Sequence, residues 1–536
     1  MYGEVRKTRP VAVMRPEPAP FAQFAYARSP DQAAPAPVRH PVIIVGAGPV
    51  GLSLAIDLAQ RGLKPVLLDD SDRIGDGSRA ICFAKRTLEI FDRLGVAEPM
   101  LAKGVRWQVG KVFQGNEQLY QFDLLPEAGH KMPAFINLQQ FYVEKFLVDR
   151  ALELGVDLRW KNRVMALDQD AEGATLTIDT PDGPYRLQSD HLVASDGARS
   201  PIRAMMGLEF VGEQFEDQFL IADVRMTADF PIERWFWFDP PFHSGQSCLL
   251  HKQPDDVWRI DLQLSRDADT EHERKPDVVR PRIERMLGHS DFELEWVSIY
   301  RFQCRRLERF VHDRVIFAGD AAHQVSPFGA RGANSGVQDA DNLGWKLAAV
   351  ASGAAQPSLL DTYDAERSEA ADENILNSTR ATDFIAPRSA MEARFRDAAL
   401  ALAKAAPFAR RFVNSGRLSL PTAYTASALS TEDDGGWTAG PPPGAPFVDA
   451  PFGPGFLSDS LGSGPVLLAM SGADVADMPG GLRLAQVSRD DAAVCQRYDM
   501  RDAEAYLLRP DGHVAARFRV LSCDTLVAAL QRAGMM

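Results

Sequence analysis

Cysteine is scarce in this 536-residue chain: Cys82, Cys248, Cys304, Cys495 and Cys523 lie far apart, with no CxxC pair and no Cys/His ligand spacing. An odd, scattered set argues against a disulfide framework and against a zinc site, and predicts reduced thiols and no bound metal. Net positive charge is lacking too. With 73 acidic residues against 59 basic ones the formal net charge is -14, so the overall cationic footprint of a general nucleic-acid binder is missing. Apolar runs stop well short of the roughly 20 residues that a spanning helix requires. The N-terminus also lacks the compact apolar block of a secretion signal. No nucleic-acid or membrane partner and a cytoplasmic location are the expectation.

What is present is enough apolar side chain, 45% of residues, to fill about three domains. Residues 1–40 carry seven prolines and no apolar period, which predicts a disordered arm. From Pro41 the texture alternates between strand and helix: Val42-Ile43-Ile44-Val45, a glycine turn, a helix to Gln60, and a strand Val66-Leu67-Leu68. This predicts an α/β domain with its first part at 41–215. Residues 216–294 show short alternating segments such as Val257 to Leu264 and predict an inserted, mainly antiparallel sheet. The α/β domain resumes at 295–390, a helical connection fills 391–440, and a small α/β domain occupies 441–536 after the Gly/Pro cluster at 435–444.

Gly46, Gly48 and Gly51 form GxGxxG between the first strand and the first helix, with Pro49 opening the helix. Asp69 follows at the end of the next strand, 18 residues after Gly51. The first glycine allows the tight turn, the second lets backbone approach a pyrophosphate, and the third lets helix and strand pack closely. The phosphates then face free N–H groups at a helix N-terminus, and Asp69 can accept hydrogen bonds from ribose hydroxyls. In this βαβ context the fingerprint predicts a dinucleotide, without separating FAD from NAD(P).

Further motifs carry a resemblance. Arg314-Val315-Ile316-Phe317-Ala318-Gly319-Asp320-Ala321 closely resembles the GD motif of the flavoprotein aromatic hydroxylases, the family of para-hydroxybenzoate hydroxylase and phenol hydroxylase. Asp196-Gly197-Ala198-Arg199-Ser200-Pro201-Ile202-Arg203 is similar to that family's DG motif, DGxxSxxR. The resemblance implies a Rossmann-like fold binding FAD, with Gly319 and Asp320 at the ribitol and Asp196, Gly197 and Arg203 serving FAD and the nicotinamide nucleotide. The stretch Pro327-Phe328-Gly329-Ala330-Arg331-Gly332-Ala333-Asn334 is similar to the segment that passes the flavin ring, which nominates Pro327 and the backbone of Gly332, Ala333 and Asn334. Arg79 and Gln140 resemble the family's arginine and glutamine at the FAD site, and Tyr363-Asp364-Ala365-Glu366-Arg367 resembles its YEAER ending. The region from about Pro443 resembles the thioredoxin-like tail of phenol hydroxylase-type members, here without CxxC.

The resemblance implies hydroxylation of a small aromatic, phenolic substrate with O2 and NADPH or NADH, through a C4a-hydroperoxyflavin, in a chain compatible with a homodimer. Trp235, Trp237 and Phe328 are the predicted pocket aromatics. No catalytic side chain is assigned; His243, His251 and Arg259 are candidates for handling a phenol proton or a carboxylate. Rival readings are an epoxidase or Baeyer–Villiger oxygenase on a polyketide, a halogenase suggested by Trp235, Trp237 and Pro240, and a non-catalytic flavin-binding sensor.

Overall fold

The computed structural model describes residues 23–75, 80–413, 418–433, 436–475 and 478–536. The apolar run that opens the α/β pattern becomes the strand Val38–Val45, paired in parallel with Tyr185–Ala194 on one side and Val66–Leu68 on the other. Asp157–Arg159 and Val315–Phe317 extend the parallel sheet outward. Val42, Ile43 and Ile44 are fully buried because helices Pro49–Gln60 and Gly332–Ala351 belong to the same apolar core, and a strand covered on both faces cannot alternate. Strand Val315–Phe317 returns to this sheet after an excursion of more than a hundred residues, so the domain is discontinuous in sequence.

The excursion builds a second, eight-stranded sheet, antiparallel except for one pair. Its long strands Val211–Arg225 and Glu293–Arg306 lie side by side, and Val257–Leu264, Ser247–Lys252 and Arg234–Phe238 follow outward. The sheet is wider than the predicted 216–294. It runs to Arg306, gains the short strand His323–Gln324 beside that end, and recruits the hairpin Val109–Gln114 and Glu117–Asp123 from within the first part of the α/β domain. The cause is edge chemistry: Val109–Gln114 pairs in parallel with Arg234–Phe238, whose outer backbone groups would otherwise lack partners.

The expectation of a disordered arm through residue 40 is corrected for residues 23–40. Phe24 stacks on Trp160 at 4.4 Å between ring centroids, Tyr26 donates to Thr180 at 3.3 Å, and Ser29 caps a short helical turn at Pro30–Ala33. Residues 1–22 lie outside the described residues.

Beyond the second sheet, helix Leu359–Ile385 runs back along the molecule, and Ala390–Ala405 starts at a capping box formed by Ser389 and Glu392. The C-terminal sheet has the order Arg483–Val487, Val466–Met470, Ala505–Leu508, Val514–Phe518, parallel in its first pair and antiparallel in the others. It closes with helix Cys523–Arg532. Buried charges bind this unit to the α/β domain: Arg509 meets Glu366 at 2.6 and 2.9 Å and donates to Asp511 at 3.0 Å. Lys346 reaches Glu366 at 2.7 Å.

Candidate active site

The glycine fingerprint sits where a phosphate cradle requires it. Gly46 takes φ of 105°, and a Cβ on Gly51 would fall 2.0 Å from the Gly46 carbonyl oxygen, so neither position tolerates a side chain. A Cβ at Gly48 would meet nothing within 4 Å, which leaves open space in front of the turn and at the N-terminus of the helix that Pro49 begins. Asp69 accepts from the Ala47 N–H at 2.7 Å and the Ser71 N–H at 2.8 Å, one bond per oxygen, so each oxygen keeps a lone pair for a ribose hydroxyl. Burial pushes its carboxyl up from the ordinary value, against those two backbone bonds.

The DG and GD loops meet this cradle. Ser195, just before Asp196, donates from its hydroxyl to the carbonyls of Val45 and Gly46 at 3.0 and 3.1 Å. Asp196 accepts from Ile202 N–H at 3.0 Å through Oδ2, while its buried Oδ1 has no hydrogen-bond partner. Gly197 takes φ of 80° between them. Arg203 donates to the carbonyls of Ala321 at 3.0 Å and Ala198 at 2.9 Å, so it ties the two loops together. Gly319 lies against Val50 of the first helix, and its N–H donates to Asp339 at 2.8 Å; Asp320, next to it, is exposed at the loop surface. The three stretches around residues 46, 196 and 320 thus converge.

Asp339 is a residue the motifs missed. It is fully buried and accepts from Gly319, from the His323 ring at 2.7 Å and from Arg367 at 2.6 Å. Burial raises its carboxyl, but His323 and Arg367 more than offset this and hold it below the ordinary range. Tyr363 and Arg367 of the YEAER-like segment therefore brace the GD loop from behind, Tyr363 through its hydroxyl to the Phe317 carbonyl at 2.8 Å. Only the i, i+4 spacing of Tyr363 and Arg367 on helix Leu359–Ile385 could have signalled this; Asp339 sits on a different helix, and the partners are distant in sequence.

The flavin-ring segment follows. The turn at Pro327 closes through Ala330 N–H to the Pro327 carbonyl at 3.0 Å, and helix Gly332–Ala351 then starts. The backbone N–H groups of Gly332, Ala333 and Asn334 occupy its first turn, where no intrahelical acceptor exists. The Asn334 side chain accepts from Ala84 N–H and donates to the Cys82 carbonyl, both at 2.8 Å, pinning the helix start to strand Cys82–Ala84. Gln140 accepts from Ala80 N–H at 3.1 Å and donates to Glu144 at 2.7 Å, and Glu144 accepts from Gly75 N–H at 2.8 Å. These bonds hold both ends of the segment that carries Arg79, which itself lies outside the described residues. The open cradle, the orphaned Asp196 oxygen and the free helix N-terminus together fit FAD.

Next to the flavin-ring segment, bordered by Phe328, Gly329 and Arg331, is a cavity of about 530 Å³. Phe236 and Phe238 line it from the second sheet, Phe328 from the flavin-ring segment, Phe384 from the end of helix Leu359–Ile385, and Phe395 and Phe412 from the helical connection. Trp235 and Trp237 are not in it. A strand alternates its faces, and Arg234–Phe238 turns the tryptophans to the opposite core, where Phe113 stacks on Trp237 at 5.2 Å and Phe230 meets Trp235 at 5.5 Å. The pocket aromatics of this strand are therefore Phe236 and Phe238, which alternate with the predicted tryptophans; of the predicted set, Phe328 is placed at the cavity.

The proton-handling candidates are also displaced. His243 bonds the Gln263 carbonyl at 2.6 Å on the tryptophan side of the sheet. His251 shares the cavity face but is buried beneath the wall, 6.2 Å from the Trp107 ring, and burial drives it well below the ordinary histidine value, so it is neutral. Arg259 is engaged by Asp223 at 2.8 and 3.0 Å.

A family model described as "FAD binding domain" matches residues 39–378. A 6-methylpretetramide 4-monooxygenase from Streptomyces rimosus is 32% identical over 532 residues, covering 91% of this chain and 93% of the relative. A 3-(3-hydroxy-phenyl)propionate/3-hydroxycinnamic acid hydroxylase from Mycolicibacterium smegmatis is 30% identical, covering 72% of this chain and 69% of the relative. The solved anhydrotetracycline hydroxylase OxyS from Streptomyces rimosus superposes with a TM-score of 0.70 at 28% identity, covering 93% of this chain and 99% of that one. Among the described residues no helix is long and apolar enough to cross a membrane. The chain belongs to the FAD-binding-domain family of flavin-dependent monooxygenases, the family of the aromatic hydroxylases.

Proposed function

We propose that this chain hydroxylates a phenolic, fused-ring aromatic, using FAD, dioxygen and NADPH or NADH. The observation that carries the reading is the aromatic cavity beside the flavin-ring segment. Its volume of about 530 Å³ falls within the range of ligand sites and accommodates several fused rings, and Phe236, Phe238 and Phe328 offer faces and edges to a flat ligand. Relatives named for tetracycline-type and phenylpropionate substrates support an aromatic ligand, and the full-length match to the 6-methylpretetramide enzyme favours the polycyclic end of that range.

Bound FAD supplies hydride acceptance and dioxygen activation. The residues named above would hold it: Gly46, Gly48, Gly51 and Asp69 the adenosine diphosphate half, Asp196 and Asp320 the polyol, and the N–H groups of Gly332 to Asn334 the ring, where a helix N-terminus would favour negative charge. Phe236, Phe238 and Phe384 position the ring of the substrate and keep water away from it. The C-terminal unit, read as thioredoxin-like, is structural, because it carries no CxxC and its Arg509 and Asp511 are spent on the interface.

The test is NAD(P)H consumption in air with a panel of naphthols, anthraquinones and simple phenols, with product analysis. Stimulation by fused-ring phenols with a hydroxylated product is expected. Consumption that no aromatic accelerates, ending only in hydrogen peroxide, would favour the flavin-binding sensor. Ring-expanded or epoxide products from a polyketide would favour the epoxidase or Baeyer–Villiger alternative.

A further inference from the structure

On strand Arg234–Phe238 the side chains at 234, 236 and 238 share one face of the sheet, and all three line the cavity. Phe236 and Phe238 make it apolar. Arg234 ends the row with a charge. The other cations at the wall are committed or wet: Arg331 is buried and donates to Asn374 at 3.4 Å, Lys111 pairs with Glu233 at 2.8 Å, Arg396 pairs with Asp397 at 3.1 Å, and Arg380 and Arg411 are exposed. Arg234 is half-buried and makes neither an ion pair nor a hydrogen bond among the described residues.

The neighbours on its sheet face do not neutralise it. Arg259 already holds Asp223 through two hydrogen bonds. Asp261 is half-buried, its covered Oδ1 accepts no hydrogen bond among the described residues, and desolvation pushes its carboxyl up to about 6 against the attraction of Arg259. The His251 ring is neutral, with Nδ1 unbonded. Burial likewise lowers the Arg234 guanidinium from its ordinary value, with Cys82 and Asp261 opposing the shift. A planar five-donor fork that is partly removed from water, faces a cavity and has no hydrogen-bond partner among the described residues offers its donors to a ligand.

We propose that Arg234 anchors an anionic oxygen of the substrate, a carboxylate or an acidic phenolate or enolate on a fused aromatic ring, and so selects acidic polycycles over neutral ones of the same shape. The guanidinium fork pairs two oxygens in parallel, a charge-assisted contact that also fixes the ring over Phe236 and Phe238. The inference rests on the cavity being the substrate site of the monooxygenase proposed above.

Anthraquinone-2-carboxylate and 2-(hydroxymethyl)anthraquinone share a ring system and differ in charge. Their binding to the FAD-loaded protein is read from flavin difference spectra, for wild type, Arg234→Gln and Arg234→Lys, each checked for flavin content and circular dichroism. Wild type is expected to prefer the carboxylate by about tenfold, ~1.4 kcal/mol. Arg234→Gln should erase that preference while changing affinity for the neutral ring by less than about threefold, ~0.6 kcal/mol. Arg234→Lys should keep part of it. No preference in wild type, or equal weakening of both probes in Arg234→Gln, overturns the proposal. These readouts need no turnover. A protein that binds the carboxylate through Arg234 but never oxygenates a ring keeps this inference and loses the hydroxylase reading; one that oxygenates neutral rings unimpaired by Arg234→Gln does the reverse.

Discussion

Two regions of this molecule draw charge inward, a fully buried seam and a partly buried cavity wall, and they treat it in opposite ways. At the seam between the α/β domain and the C-terminal unit, Glu366, Arg509, Asp511 and Lys346 are each no more than 2% exposed, and each meets an opposite charge within 3.0 Å or less. On the cavity face of the second sheet, Arg259 and Asp223 pair, but among the described residues Asp261 keeps a bare oxygen, His251 a bare nitrogen, and Arg234 no partner. Buried polar groups are nearly always satisfied, so the first pattern describes a joint and the second describes a surface that awaits a ligand.

The contrast can be broken most forcefully at the joint. Glu366→Ala strands Arg509 and Lys346 without their shared carboxylate and should cost about 3–5 kcal/mol in urea unfolding. A cost below ~1 kcal/mol would mean that the seam is solvated and the comparison false.

The next effect tests the other side. Asp261 has a folded value of about 6, above the ordinary carboxylate value, so the folded protein binds the proton more tightly than the unfolded chain does. Stability linked to this group is present at low pH and falls as pH rises towards 6. Asp261→Asn should therefore stabilise the protein at pH 8 by on the order of 2 kcal/mol, and the gain should shrink as pH drops through about 6. A destabilisation at pH 8 that is unchanged at pH 5 would show that Asp261 is satisfied after all.

Smaller effects separate the two faces of one strand. Trp237→Leu cuts into the apolar core and should lose about 1–3 kcal/mol of stability with little change in apparent substrate affinity. Phe236→Leu should cost less than ~1 kcal/mol in stability yet raise KM several-fold for a fused-ring substrate. Equal behaviour of the two variants would contradict the assignment of faces.

The nucleotide cradle was legible in the sequence because a backbone squeezed to 2.0 Å from a virtual Cβ at Gly51 dictates the residue at that point. Motifs that are short, local and backbone-driven name themselves. The pocket was not legible in the same way. Alternation in Arg234-Trp235-Phe236-Trp237-Phe238 shows that two faces exist, but which one meets the cavity depends on the strands at 109–114 and 247–252 and on the helices that cover the sheet. Aromatic character alone nominated the tryptophans, and packing gave the phenylalanines the cavity. The charged seam was hidden for a similar reason: Lys346, Glu366 and Arg509 share no local spacing, and only folding brings them together.

The claim that most of this depends on is that an aromatic ring in the cavity receives oxygen from dioxygen activated at the adjacent FAD. Turnover of a stimulating aromatic under oxygen-18 gas, with the product weighed by mass spectrometry, tests it directly. One heavy oxygen atom on the ring in each product molecule is the predicted result; a product whose new oxygen comes from water, or an oxidised product with no new oxygen, would contradict it.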